Sequence, residues 1–251
     1  WLNEGTNGDF DVSIYPQGSF RLGTVIRPWR DGVESDYDID LVCELQVDKT
    51  RNHPAEIKKF VGDRLKENAD YKRMLEPESS RCWTIHYADG SDGIGFHMDI
   101  LPSVPEDIQS IQALVTQGVP SDIANQAIAI VDNTAREGYS WTSSNPNGFA
   151  DWFDQINQLV YRTLEKSQKN ILFESNRELY EMISDVPNQL VRTPLQRSIQ
   201  ILKRHRDTRF SKPEWNDAKP MSMIITTLSA RLYQNQSDTY STLQNIVLQL
   251  S

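Results

Sequence analysis

An α+β fold in two parts is predicted by a change of hydrophobic period along the chain. Up to about residue 105 the apolar residues alternate in short runs with turn formers between them. Beyond Pro105 they recur at helical spacing. A cluster of turn formers, "SSNPNG" at 143–148, is the best boundary, so the expected division is 1–147 and 148–251.

The elements follow in order. "YDIDLVCEL" alternates, with Ile39, Leu41 and Cys43 on one side and Asp38 and Asp40 on the other, and reads as a strand. Residues 54–75 carry Ile57, Phe60, Val61 and Leu65 at helical spacing behind Pro54. A hairpin is expected next, because Trp83, Ile85, Tyr87 and Phe96, Met98, Ile100 flank the turn-rich "ADGSDG". Helices are predicted over 106–115, 121–137, 148–169, 193–207 and 220–235, the last opening on Pro220.

Composition narrows the function. The chain has 251 residues, 38% of them apolar, enough for a sizeable core. It contains no run of about 18 apolar residues and no signal peptide, so a soluble, non-membrane protein is expected. Two cysteines, Cys43 and Cys82, make neither a disulfide framework nor a C-x-x-C pattern, and a reducing cytoplasm is the expected setting. A net charge of −9 disfavours long nucleic acid as a partner, since that affinity comes mainly from neutralised phosphates. A small anion needs only a local positive site. Between Arg192 and Lys212 seven basic residues (Arg192, Arg197, Lys203, Arg204, Arg206, Arg209, Lys212) face the single acid Asp207.

Two motifs carry chemistry. Asp38 and Asp40 leave the same face of one strand, where aspartate is otherwise disfavoured. Asp99 in "FHMDILP" points opposite to Met98 and Ile100 on a second strand, so three acids converge if the two strands are neighbours. Converging carboxylates repel unless a divalent cation neutralises them, and an oxygen-only set suits Mg²⁺. The ordinary alternative is a solvent-facing acid pair on an edge strand. Twenty residues earlier, "GSFRLGT" offers Gly18 and Gly23 for close backbone approach and Ser19 for holding a phosphate. It is not a P-loop: Thr24 stands where lysine is required.

A G-S loop, a D-h-D strand and a distant third aspartate together resemble the core of the polymerase-β-like nucleotidyltransferases. Here these are Gly18-Ser19, Asp38-Ile39-Asp40 and Asp99. "SNPNGFADWF" (144–153), "TPLQRSIQILKRHRD" (193–207) and "KPMSMIITTL" (219–228) further resemble the cGAS/DncV-like synthases of bacterial antiphage signalling (CBASS), the CD-NTases. The resemblance implies a polymerase-β-like core with a mixed β-sheet, a helical C-terminal lobe closing over the donor nucleotide, and an active site in the cleft between them. It implies that Asp38, Asp40 and Asp99 are catalytic and hold two Mg²⁺ ions, with Mn²⁺ as a substitute. Gln17, Gly18, Ser19, Lys203 and Ser222 would bind nucleotide, the last two gripping the triphosphate. The implied substrates are nucleoside triphosphates, with ATP, GTP or a pyrimidine nucleotide as candidates. The product would be a cyclic di- or trinucleotide messenger released with pyrophosphate, and a regulatory partner protein is a feature of some relatives. Trp1 and Leu2 would be the end of a helix bracing both lobes. At least three of the seven basic residues are expected on a solvated helix face. Two alternatives stand beside this: a template-independent RNA or tRNA nucleotidyltransferase on the same core, and a silent nucleotide-binding scaffold.

Overall fold

The computed structural model describes residues 11–30, 33–87, 95–134, 136, 138–175 and 191–250. The turn expected at 88–93 and the helix end expected at Trp1 and Leu2 lie outside them. The chain forms two compact units, one from the residues up to Arg21 with Asp36–Asp151, the other from Leu22–Ser35 with Trp152 onward. Among the described residues no helix is long and apolar enough to cross a membrane.

The first unit is built on a mixed six-stranded sheet: β1 (Val12–Pro16), β4 (Tyr37–Leu45), β6 (Phe96–Pro105), β7 (Ile128–Thr134) and β8 (Gly138–Ser144) in that order, with β5 (Trp83–Tyr87) paired to β6. β4 runs parallel to β6, and the other pairs are antiparallel. Cys43, Leu45, Trp83, Ile85, Ile100 and Val104 point to one face and pack against Ile57, Val61 and Leu65 of α2 (Pro54–Glu67). On the opposite face Val42 and Leu101 pack with Ile128 and Ile130 of β7. Lys58 of α2 is fully buried, its ammonium donating to the carbonyls of Ser79 and Cys82.

The helix expected over 54–75 is broken in two. Asn68 ends α2, and its side chain accepts from the N–H groups of Asp70 and Tyr71 to cap α3 (Ala69–Met74). The helix expected over 121–137 is confined to its first turn: α5 covers only Ser121–Ala124, whereas Ile128–Thr134 form β7, with Ile128–Asp132 all buried. A strand covered on both faces loses its alternation, and a short apolar run then looks the same as a buried helix. Its partner β8 was not anticipated; Tyr139 and Trp141 alternate on it and pack on the α2 side of the sheet. α4 (Ile108–Thr116) falls where a helix is predicted, and the hairpin pairs Tyr87 with Phe96 as the alternation requires.

The second unit holds the β2–β3 ribbon (Trp29–Arg30 and Val33–Glu34), α7 (Pro194–Arg209), α8 (Ser222–Leu232), α9 (Thr239–Leu250) and most of α6 (Pro146–Ser175). α7 starts in a capping box, Thr193 and Gln196 bonding each other's backbone N–H behind Pro194. Leu195 and Ile199 are fully buried. A second row of side chains on α7 clasps the segment after the glycine and serine loop. Gln196 donates to Leu22 O (2.9 Å), Gln200 to Val25 O (2.9 Å) and Lys203 to Thr24 O (3.2 Å). Gly23, at φ +65°, accepts this grip because a Cβ there would lie 2.6 Å from Gln196 Nε2.

Candidate active site

Strand register brings the acids together. Asp40 on β4 is the direct partner of Asp99 on β6, and Asp38 is the partner of His97. Partners in register share a face and neighbouring strands lie about 4.8 Å apart. Asp38, Asp40 and Asp99 therefore stand on one face, opposite α2, at the end of the sheet where Val42 and Leu101 give way to polar residues.

Each carboxylate has a local reason for its place. Asp99 Oδ1 accepts from Thr84 Oγ1 at 2.6 Å across the β5–β6 pair. Asp38 Oδ1 lies 3.5 Å from His97 Nδ1. Asp40 is where the loop meets the sheet: its carbonyl accepts from Gln17 N–H at 2.9 Å. Gly18, at φ +60°, opens the single turn α1 (Gly18–Arg21), and a Cβ there would come within 2.5 Å of Asp40 Oδ2. Only a glycine lets the loop seat against this carboxylate without displacing it. Gln17 and Gly18 are thus tied to Asp40, and Ser19 follows them in the same turn.

The field of these acids reaches Cys82. Its thiol is pushed up to about 12, by burial foremost and then by the negative charge of Asp99, with Asp40 adding to it. Cys43 is likewise raised to about 12 by burial. Neither thiol is a nucleophile at neutral pH.

Lys203 and Ser222 sit in the second unit, both already hydrogen-bonded there. Lys203 is 3% exposed and donates to Thr24 O and to Thr24 Oγ1 (3.1 Å). The expectation of a free ammonium on this helix is corrected for Lys203: it follows Leu195 and Ile199 at four-residue spacing and so shares their buried stripe. Ser222, at the start of α8, accepts from Arg206 Nη1 at 2.7 Å. Arg206 and Lys219 both pair with Asp207, which is 1% exposed. Arg197 and Arg209 are exposed on α7 and Lys212 is exposed beyond its end, so two of the basic set lie on a solvated helix face where at least three were expected.

Sequence reasoning passed over Asp36, His86 and His97, whose side chains each offer a ligand atom within 4.8 Å of the others. The signal available was the parity of His97 with Asp99 in "FHMD". Their meeting depends on strand register, which no local pattern states.

Residues 12–102, which contain the loop and all three aspartates, match the family described as cyclic GMP-AMP synthase DncV-like, nucleotidyltransferase domain. A c-di-GMP synthase of Roseivirga ehrenbergii is 28% identical over 252 residues, covering 100% of this chain and 57% of that protein. The CD-NTase CdnG of Bradyrhizobium diazoefficiens, solved in complex with GTP, matches 94% of this chain and 62% of its own at 18% identity and a TM-score of 0.60. The DncV cyclic AMP-GMP synthase of Vibrio cholerae, solved with nonhydrolyzable GTP, matches 96% of this chain and 52% of its own at 16% identity and a TM-score of 0.57. The chain thus spans little more than half the length of the curated relative. Residues 12–102 thus resemble the DncV-like nucleotidyltransferase domain, and nearly the whole chain shares the α+β fold of the CdnG and DncV structures.

Proposed function

We propose that this chain is a nucleotidyltransferase that joins nucleoside triphosphates into a cyclic di- or trinucleotide, releasing pyrophosphate. The observation that carries the reading is the register of Asp40 with Asp99, which sets three carboxylates on one sheet face beside the Gly18-Ser19 turn. The donor set of three carboxylates is hard and oxygen-only, and it fits Mg²⁺. Asp38, Asp40 and Asp99 would hold two such ions, with Mn²⁺ as a substitute. Bound there, the metal would supply charge neutralisation for the attacking and departing oxygens of an in-line displacement.

The chain's own residues do the rest. Thr84 fixes the orientation of Asp99 through its hydroxyl. Gln17 N–H and the bare Cα of Gly18 hold the loop against Asp40. Ser19 then offers its hydroxyl and backbone N–H to a phosphate of the donor. The same reading assigns Lys203 and Ser222 to the triphosphate; phosphate would take the places now filled by Thr24 and Arg206. ATP and GTP are the first substrates to try, since relatives were solved with GTP. A role in antiphage signalling follows from the same kinship.

The test is the pair Asp38→Asn with Asp40→Asn. Turnover of a nucleoside triphosphate mixture with Mg²⁺ is expected to cease while the circular dichroism spectrum and thermal midpoint stay near those of the parent. Undiminished product from the doubly substituted chain would remove the assignment.

A further inference from the structure

Beside the aspartates, on the same sheet face, lies a group that nucleotidyl transfer does not use. His86 of β5 and His97 of β6 are register partners, and their rings meet edge to face with centroids 4.4 Å apart. Asp36, one residue ahead of β4, reaches the same point, its Oδ2 3.3 Å from His86 Nε2. The backbone makes room for it: a Cβ on Gly95 would lie 2.8 Å from Asp36 Oδ2. The side chains of Asp36, His86 and His97 are 29%, 42% and 32% exposed, so the group is half withdrawn from water yet open to an ion.

We propose that Asp36, His86 and His97 form a binding site for a transition-metal dication of the zinc class, separate from the carboxylate set of the proposed active site. The chemistry of the donors decides the class of ion. Two imidazoles and one carboxylate favour zinc and its neighbours, whereas Mg²⁺ prefers oxygens alone and gives up its waters reluctantly. At metal–ligand distances of about 2.0–2.1 Å, the atoms of a tetrahedral zinc shell stand roughly 3.3 Å apart. Ligand atoms already within 4.8 Å of one another reach that spacing by small side-chain rotations. Three protein ligands leave a fourth position for water or an anion. A plain histidine–carboxylate hydrogen bond accounts for His86 with Asp36; it does not account for the second imidazole brought edge-on from the partner strand. His97 also faces Asp38 at 3.5 Å, so an ion held here draws that ring away from a proposed catalytic carboxylate.

The site does not rest on nucleotidyl transfer, and its test uses no nucleotide. The full chain is titrated with Zn²⁺ by calorimetry in millimolar Mg²⁺. One Zn²⁺ per chain is expected. His86→Ala, His97→Ala and Asp36→Asn are each expected to weaken it by about tenfold or more. Gly95→Ala keeps every ligand but crowds the Asp36 carboxylate, and it is expected to weaken binding too. Asp40→Asn and Asp99→Asn are expected to leave it unchanged. Circular dichroism of each variant confirms folding, and visible absorption of Co²⁺ in place of Zn²⁺, lost in His86→Ala, gives an independent reading of imidazole ligation. No Zn²⁺ binding, binding that survives in both histidine variants, or binding weakened only by Asp40→Asn and Asp99→Asn would overturn the proposal.

Discussion

Gly18 shows how one residue links backbone conformation to chemistry. It holds φ at +60°, and its missing Cβ is the space that Asp40 Oδ2 occupies. Gly18→Ala is expected to cost about 1–2 kcal/mol from the left-handed backbone alone. Displacement of Asp40 is expected to cut turnover at least tenfold. Denaturant unfolding and pyrophosphate release measure the two, and an alanine variant with parental values for both would contradict this geometry. The three aspartates were legible in the sequence because parity on a strand is a local property: Asp38 and Asp40 sit two apart, and Asp99 opposes Met98 and Ile100. Their convergence was legible only on the condition that the two strands are neighbours, which β4 and β6 meet; that of His86 with His97 was not legible. Which residue of β6 faces Asp40 is decided by pairing between segments nearly sixty residues apart, and a slip of one residue would have turned Asp99 to the α2 side.

α7 is the element whose interior differs most from its outward reading. Its run of basic residues suggested a cationic surface, yet Arg206, joined by Lys219 from ahead of α8, closes on the buried Asp207, and Lys203 is consumed by Thr24. Burial alone would push the Asp207 carboxyl up; the bonds from Lys219 and Arg206 more than offset it and hold it below the usual carboxylate range. A depressed acid contributes stability that is fully present above the unfolded value of about 3.9 and is lost as pH falls through the folded one. Asp207→Asn, which strands two cations, is expected to destabilise the chain by about 3–5 kcal/mol at neutral pH. That gap is expected to narrow below about pH 4 as the parental carboxyl is protonated. Urea unfolding of both proteins across the acid range checks the sign, and a gap that widened on acidification would contradict it. In the same way β7 and β8 escaped prediction because their order comes from the sheet around them, while α2, α4 and α7 carry their own caps and periodicity.

For the chain as a whole, the change of period near Pro105 and the turn cluster at 143–148 announced an α+β protein in two parts. Of the two compact units, the helical one takes in Leu22–Ser35 as well as the residues from Trp152 on. That segment carries no helical signal of its own. It belongs there because Gln196, Gln200 and Lys203 hold its carbonyls, a long-range fact that composition cannot express. The overall charge of −9 sets a further expectation. Excess duplex DNA at moderate salt is expected to bind weakly and to leave turnover unaltered, and tight binding measured by fluorescence anisotropy would contradict that reading. The most direct measurement is mass spectrometry of the products formed from the four ribonucleoside triphosphates with Mg²⁺, run beside the Asp99→Asn variant. A phosphatase-resistant cyclic product from the parent chain and none from the variant is the expected result; the same product from both would show that these carboxylates are not the catalytic centre.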